Sequence, residues 1–331
     1  MRGTSGDGLF GELRLRLRCE GRSTFRHAAA IFSILCFSLF VQADMPFRAA
    51  AVAQSTPDFD MARADEANAV ALADANAGRL WDAQSALVEK AVGGLQPRVP
   101  GRLNIYAMAV AAGGAQQLFS REAHLALDVA AARFGSDYRG GLLLSNGLVD
   151  ILHAPLATQR NISVAARALG GRLDPALDIA LIYLAAHGSA EATLATDLPN
   201  KKFLTSISAE SVADALNSAG IKRRIVIISA CYSGTWIPAL ATPDTIVITA
   251  ARKDRTSFGC DDRRRLTFFG AAFLEGPLAR GASLREAFDK ARNKVAGWEA
   301  EGQLTPSEPQ VHIGKNMQTL WTGRSTGQPG K

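Results

Sequence analysis

Two side chains that could act together as a nucleophile and its base, Cys231 and His187, each follow an apolar run that ends in small residues. Cys231 lies in IVIISACYSG at positions 225–234, and His187 lies in IALIYLAAHGS at positions 179–189. A thiol is a strong nucleophile only as the thiolate, and a neighbouring imidazole promotes that form. The pair therefore indicates nucleophilic catalysis by cysteine.

The apolar runs before these side chains are typical of strands that are buried on both faces of a parallel sheet. Two parallel strands that end at one sheet edge would bring Cys231 and His187 together, and ligands collect at that edge in open α/β folds. The separation of 44 positions from His187 to Cys231 is enough for one crossover connection. The alternative for each residue is a structural role, since free cysteine packs well in protein cores.

The rest of the chain alternates between predicted strands and helices. Further strands are predicted at 103–111, 141–145 and 245–251, and helices at 117–134, 164–169, 208–217, 268–274 and 284–298. This alternation predicts a doubly wound α/β sheet. No glycine-rich phosphate loop opens any of these helices, and no internal repeat is present.

The amino terminus has the pattern of an export signal. Residues 28–41 form an apolar run of 14 that follows several arginines, and small residues at 41–43 and 51–53 offer cleavage sites. We therefore predict that residues 1–53 are a leader and that the mature protein is periplasmic or secreted. An uncleaved anchor at 28–41 is the alternative. No other run reaches about 18 apolar residues, so no membrane span is expected in the mature chain.

Cysteine usage and charge limit the possible partners. If the leader is removed, only Cys231 and Cys260 remain, and they could form a disulfide or be one reactive and one buried thiol. Their spacing does not fit zinc, and we expect no metal and no organic cofactor. The leader holds seven of the 37 basic and four of the 31 acidic residues, which leaves 30 and 27. That balance does not favour nucleic-acid binding.

Three segments stand out in this order: YLAAHGS at 183–189, SACYSG at 229–234, and ITAARKDRTSFGC at 248–260 with LTFFG at 266–270. Together they resemble peptidase family C13, the family of legumain and of the catalytic subunit of the GPI transamidase, and its bacterial members most closely. The resemblance implies a caspase-like three-layer sandwich with a mostly parallel central sheet flanked by helices. It implies that Cys231 is the nucleophile, that His187 is the general base and acid, and that the amides of Gly188 and Cys231 form the oxyanion hole.

The resemblance also implies a specificity pocket. In the family, an arginine after the first strand, an acid just before the cysteine and an acid after the pocket strand form it. The candidates here are Arg121, Ser229, Ala250, Asp261 and Asp262. A serine thus stands where an acid is expected. The family's asparagine that helps to position the histidine has no counterpart in QQLFSRE at 116–122, so asparaginyl specificity does not transfer.

The sequence thus predicts a cysteine endopeptidase that cleaves a peptide or protein substrate through an acyl-enzyme, with transpeptidation or transamidation as a variant. The predicted domain plan is a helical segment and linker at 54–98, the peptidase domain at 99–303 and a tail at 304–331. The alternative function is a non-catalytic peptide-binding or envelope interaction protein on the same scaffold, and a third is an interaction module built on the helical segment 60–92.

Overall fold

The computed structural model describes residues 77–323. The strands of that part are β1 (Ile105–Ala111), β2 (Tyr138–Ser145), β3 (Ile179–Ala185), β4 (Thr193–Leu194), β5 (Ile207–Ser208), β6 (Arg224–Ser229), β7 (Thr245–Thr249) and β8 (Gln310–Ile313). Six of them form one sheet in the order β2-β1-β3-β6-β7-β8, and β4 pairs with β5 in a small separate sheet. Only β8 runs antiparallel to its neighbour within the six-stranded sheet.

Helices connect these strands. They are α1 (Ala77–Asp82), α2 (Gln84–Gly93), α3 (Gln117–Phe134), α4 (Gln159–Gly170), α5 (Ala209–Ser218), α6 (Ile237–Leu240), α7 (Phe268–Phe273), α8 (Leu284–Glu301) and α9 (Gln318–Thr322). Four of them begin at a hydroxyl residue whose oxygen accepts a hydrogen bond from a first-turn amide, which satisfies a donor that the helix leaves free. The capping residues are Thr158, Ser208, Thr267 and Ser283.

The central sheet is covered on both faces because its strands carry apolar side chains on both. On β1, Met108 and Val110 pack into the cluster that includes α4 and α5, whereas Ala109 and Ala111 pack into the cluster that includes α3, α7 and α8. Alternate residues of a strand point to opposite faces, so one strand supplies both cores. The predicted fold class, a mostly parallel sheet flanked by helices, is confirmed.

The predicted tail at 304–331 is wrong for the residues that the structure describes. Strand β8 extends the central sheet beside β7, and Met317 and Trp321 are 0% and 5% exposed in the core with α8. The strand was missed because QVHI is short and half-buried and lies between Pro309 and Gly314. The predicted helix at 164–169 is likewise too short, since Thr158 caps a helix that begins at Gln159.

The helical segment predicted at 60–92 is described only from residue 77, where two short helices meet near Ala83. The leader, its cleavage sites, the alternative anchor at 28–41 and the linker lie outside the described residues, and they stay predictions. Within residues 77–323, no helix has both the length and the apolar character to cross a membrane.

Candidate active site

The register of the central sheet places Cys231 and His187 at matching positions. Ala185 of β3 pairs with Ser229 of β6, and each functional side chain follows its strand's paired end by two residues. The next residue, Gly188, packs directly against the Cys231 backbone, since a Cβ atom there would lie 2.2 Å from the Cys231 carbonyl oxygen. Only glycine permits this approach, so the two strand ends come together because position 188 has no side chain.

The turn after the cysteine is held in an unusual backbone conformation. Tyr232 has a φ of +53°, in the left-handed region that residues with a side chain seldom adopt. Its amide donates a hydrogen bond of 2.7 Å to the carbonyl of Arg255, and its carbonyl accepts from the amide and the hydroxyl of Thr235. Contacts on both sides thus fix the turn that presents Cys231. Backbone strain of this kind is typical of functional sites.

The Cys231 thiol contacts the loop that follows β7. The amide of Ser257 donates to Cys231 Sγ over 3.3 Å, and the thiol faces the carbonyl oxygen of Ser257 at 3.5 Å. Cys231 and Cys260 are both free and partly exposed, so this structure contains no disulfide between them. Burial raises the pKa of the Cys260 thiol, with a smaller contribution from Cys231. A thiol that resists ionisation is a poor nucleophile, so Cys231 is the better candidate of the two.

His187 is oriented by a glutamine that the sequence did not point to. His187 Nε2 donates to Oε1 of Gln116 over 2.5 Å, and the Gln116 amide nitrogen donates to the carbonyl of Cys260 over 2.7 Å. Since the Gln116 amide nitrogen already donates to Cys260, the Gln116 amide oxygen must be the atom that faces the His187 ring. The proton of the neutral ring then lies on Nε2, and Nδ1 keeps its lone pair. No asparagine is needed, because Gln116 reaches the histidine from the start of α3.

The surroundings of His187 favour its neutral form. The ring meets the edge of Phe119 with centroids 5.2 Å apart. Burial lowers the pKa of His187 from its ordinary value of 6.5, and the charge of Asp197 offsets part of this effect. A ring that stays neutral near pH 7 can accept a proton, as a general base must.

The two amides predicted for the oxyanion hole are available as donors. The backbone amides of the next residues already donate hydrogen bonds. The Ser189 amide donates to Thr193, and the Tyr232 amide donates to Arg255. Among residues 77–323, no acceptor takes a hydrogen bond from the amide of Gly188 or Cys231. Two free amides beside a thiol are the donors that a developing oxyanion requires.

The five pocket candidates do not form one cluster. Arg121 makes an ion pair of 3.3 Å with Asp262, which also accepts hydrogen bonds from two amides at the start of α3. Asp261 instead pairs with the exposed Arg263. Ser229 and Ala250 are each 1% exposed, so neither side chain lies on the surface. The structure thus pairs Arg121 with Asp262, and it places Ser229 and Ala250 side by side and buried where β6 and β7 end.

A fully buried carboxyl group, Glu122 on α3, lies beneath the nucleophile strand and was also missed. It accepts hydrogen bonds from the Tyr183 hydroxyl at 2.7 Å and from the amide and hydroxyl of Thr267 at 3.0 and 2.8 Å. Thr267 Oγ1 in turn lies 3.1 Å from Ser229 Oγ. Burial raises the pKa of Glu122 above its ordinary value. This network ties α3, β3, β6 and α7 together two residues before Cys231.

Comparison with known proteins supports the resemblance. Residues 163–320, which include His187 and Cys231, match the model of the peptidase C13 family. Among solved structures, caspase-1 from Spodoptera frugiperda is similar with a TM-score of 0.41 and 14% sequence identity, over 66% of this chain and 88% of that chain. No curated protein sequence matches the chain. The predicted resemblance to the C13 peptidases is thus confirmed over residues 163–320.

Proposed function

From the match of residues 163–320 to the peptidase C13 family, we propose that the chain is a cysteine peptidase that cleaves peptide bonds through an acyl-enzyme on Cys231. The observation that carries this proposal is the matched register of β3 and β6, with Gly188 packed on the Cys231 backbone. His187 then acts as the general base and acid, and the amides of Gly188 and Cys231 form the oxyanion hole.

The reaction follows from the arrangement of protons. With its Nε2 proton directed to Gln116, the His187 ring takes the thiol proton of Cys231 at Nδ1. The sulfur attacks the substrate carbonyl carbon, and the two free amides stabilise the negative oxygen that forms. His187 returns the proton to the leaving amine as the C–N bond breaks. Water then hydrolyses the thioester, and a second amine in place of water would give transfer instead of hydrolysis.

Covalent labelling tests this proposal. A peptide acyloxymethyl ketone incubated with the intact protein is expected to modify Cys231 alone, as mapped by mass spectrometry of the digested product. Cys260→Ala, which keeps the carbonyl that Gln116 contacts, should be labelled as fast as the native protein. Labelling at Cys260 would contradict the proposed nucleophile, and labelling at neither cysteine would support a non-catalytic peptide-binding function. Adding a free amine to peptide digests separates hydrolysis from transfer.

Removal of the Gln116 carboxamide should impair turnover more than binding. Without it, the His187 ring loses the acceptor that selects its tautomer, so we expect Gln116→Ala to lower kcat on the order of 10- to 100-fold with little change in KM. Gln116→Asn keeps a carboxamide on a shorter stem and should recover part of the loss. Steady-state kinetics on one peptide substrate measure kcat and KM for the two variants. Equal losses for the two variants would show that the carboxamide does not orient His187.

A further inference from the structure

The side chain of one arginine beside the nucleophile, Arg255, makes no hydrogen bond or ion pair with residues 77–323, although its charge helps to lower the pKa of Asp254. Its Nε is buried and makes no hydrogen bond there, while the residue as a whole is partly exposed. No ion pair involves it in that part of the chain either. A buried donor without an acceptor is unfavourable in the free protein, so an acceptor from a ligand would be favoured there.

Two arginines near Arg255 in the sequence, Arg252 and Arg265, differ from it because each is paired with an acid. Arg252 contacts both carboxylate oxygens of Asp254 and also Glu308. The acid that adjoins Arg255 in sequence is therefore already engaged. Arg265 pairs with Glu275 in the same way. The charge of Arg255 is left uncompensated by any direct contact among the described residues.

The position of Arg255 relates it to the reacting sulfur. Its carbonyl accepts the hydrogen bond from Tyr232, the residue after Cys231. Two residues later, Ser257 places its amide 3.3 Å and its hydroxyl 3.7 Å from Cys231 Sγ. Residues 255–260 form neither helix nor turn. Arg255 therefore lies in the loop that contacts the sulfur, two residues before Ser257.

We propose that Arg255 is a specificity-determining residue that binds a carboxylate of the peptide substrate, an aspartate or glutamate within two residues of the scissile bond. The guanidinium group offers a planar pair of donors that matches a carboxylate. This inference rests on the proposed peptidase function.

Matched peptide pairs test the inference. The pairs differ only by Asp or Asn, or by Glu or Gln, at each of the two positions on either side of the cleaved bond. At one of these positions, kcat/KM of the native protein should be about 10- to 100-fold higher for the acid, the range that a charge-assisted hydrogen bond provides. Arg255→Gln should abolish this preference by lowering the rate on the acid peptides to the rate on the amide peptides. Arg285→Gln removes the same charge from the exposed surface of α8, and this variant should keep the preference for the acid peptide.

The outcomes distinguish a failure of this inference from a failure of the proposed peptidase function. Equal rates on acid and amide peptides at every position would overturn the role of Arg255 and leave the peptidase intact. If the preference survives in Arg255→Gln, another residue recognises the acid of the peptide. If no peptide is cleaved and Cys231 is not labelled, both proposals fail together. Binding of the fluorescent acid and amide peptides to Cys231→Ala gives an independent readout, and it should show the same dependence on Arg255.

Discussion

Replacing Cys231 with alanine is expected to lower the rate of peptide hydrolysis by about 10⁴-fold or more, because no other group of the site can form the acyl-enzyme. Cys260→Ala is the matched control, since it removes the only other described thiol and keeps its backbone carbonyl. Hydrolysis measured with a fluorogenic peptide should fall to the background in the first variant and stay near native in the second. The reverse pattern would place the nucleophile at Cys260.

The same prediction extends to His187 and to the pair as a unit. General acid–base catalysis accelerates a reaction by about 10²- to 10⁴-fold, so His187→Ala should lower the rate of peptide hydrolysis by that factor. The double variant should be no worse than Cys231→Ala alone, because groups that act together are not additive. Alkylation of Cys231 by iodoacetamide should also slow in His187→Ala. Full additivity of the two losses would show that they act separately.

The pH profile of the native enzyme follows from the burial of His187. Burial lowers its pKa below 6.5, so the ring stays neutral, and able to accept the thiol proton, to a lower pH than a free histidine would. The acidic limb of kcat/KM should therefore lie below pH 6.5. A limb above that value would indicate that another group limits the reaction.

The sequence predicted the part of this site that depends on strand ends. His187 and Cys231 follow apolar runs whose length and flanking residues identify buried parallel strands, and one sheet edge then brings them together. Gln116 could not be predicted in this way. Its role depends on how far a side chain reaches from the start of α3 to the histidine ring and to the Cys260 carbonyl, and neither contact leaves a periodic signal in the sequence.

The same distinction applies to the fold. The long buried strands, the long helix α3 and the capped helices α5 and α8 have local signals, and they were predicted within a few residues. Strand β8 has none, because a short antiparallel strand at a sheet edge owes its conformation to pairing with β7. Glu122 was missed for a related reason. A glutamate on a helix is normally solvated, and only the tertiary structure shows that it is fully buried.

Burial makes Glu122 a strong determinant of stability. Glu122→Ala would leave the Tyr183 hydroxyl and both donors of Thr267 without acceptors in a dry core, and each such group costs about 1–3 kcal/mol. We therefore expect the free energy of unfolding to fall by about 3 kcal/mol or more, measured by chemical denaturation. Glu122→Gln keeps the shape and an acceptor oxygen, so it should lose far less. A small loss for alanine would show that water replaces the carboxyl group.

The glutamine variant also tests the protonation state of Glu122 through pH. Because the folded-state pKa is raised, the folded protein holds the proton that the unfolded chain releases above about pH 4.5, the ordinary glutamate value. The stability that this proton provides is complete below that pH and is lost as the pH rises through the folded-state pKa. Glutamine does not titrate. The free energy of unfolding of Glu122→Gln should therefore rise relative to that of the native protein from pH 4.5 upward, by at most about 1.4 kcal/mol per pH unit. Denaturation curves of both proteins at pH 5 and pH 7.5 measure the gain. A constant difference between them would mean that Glu122 ionises in the folded protein as easily as in the unfolded chain, and the network beside Cys231 would then hold a buried negative charge.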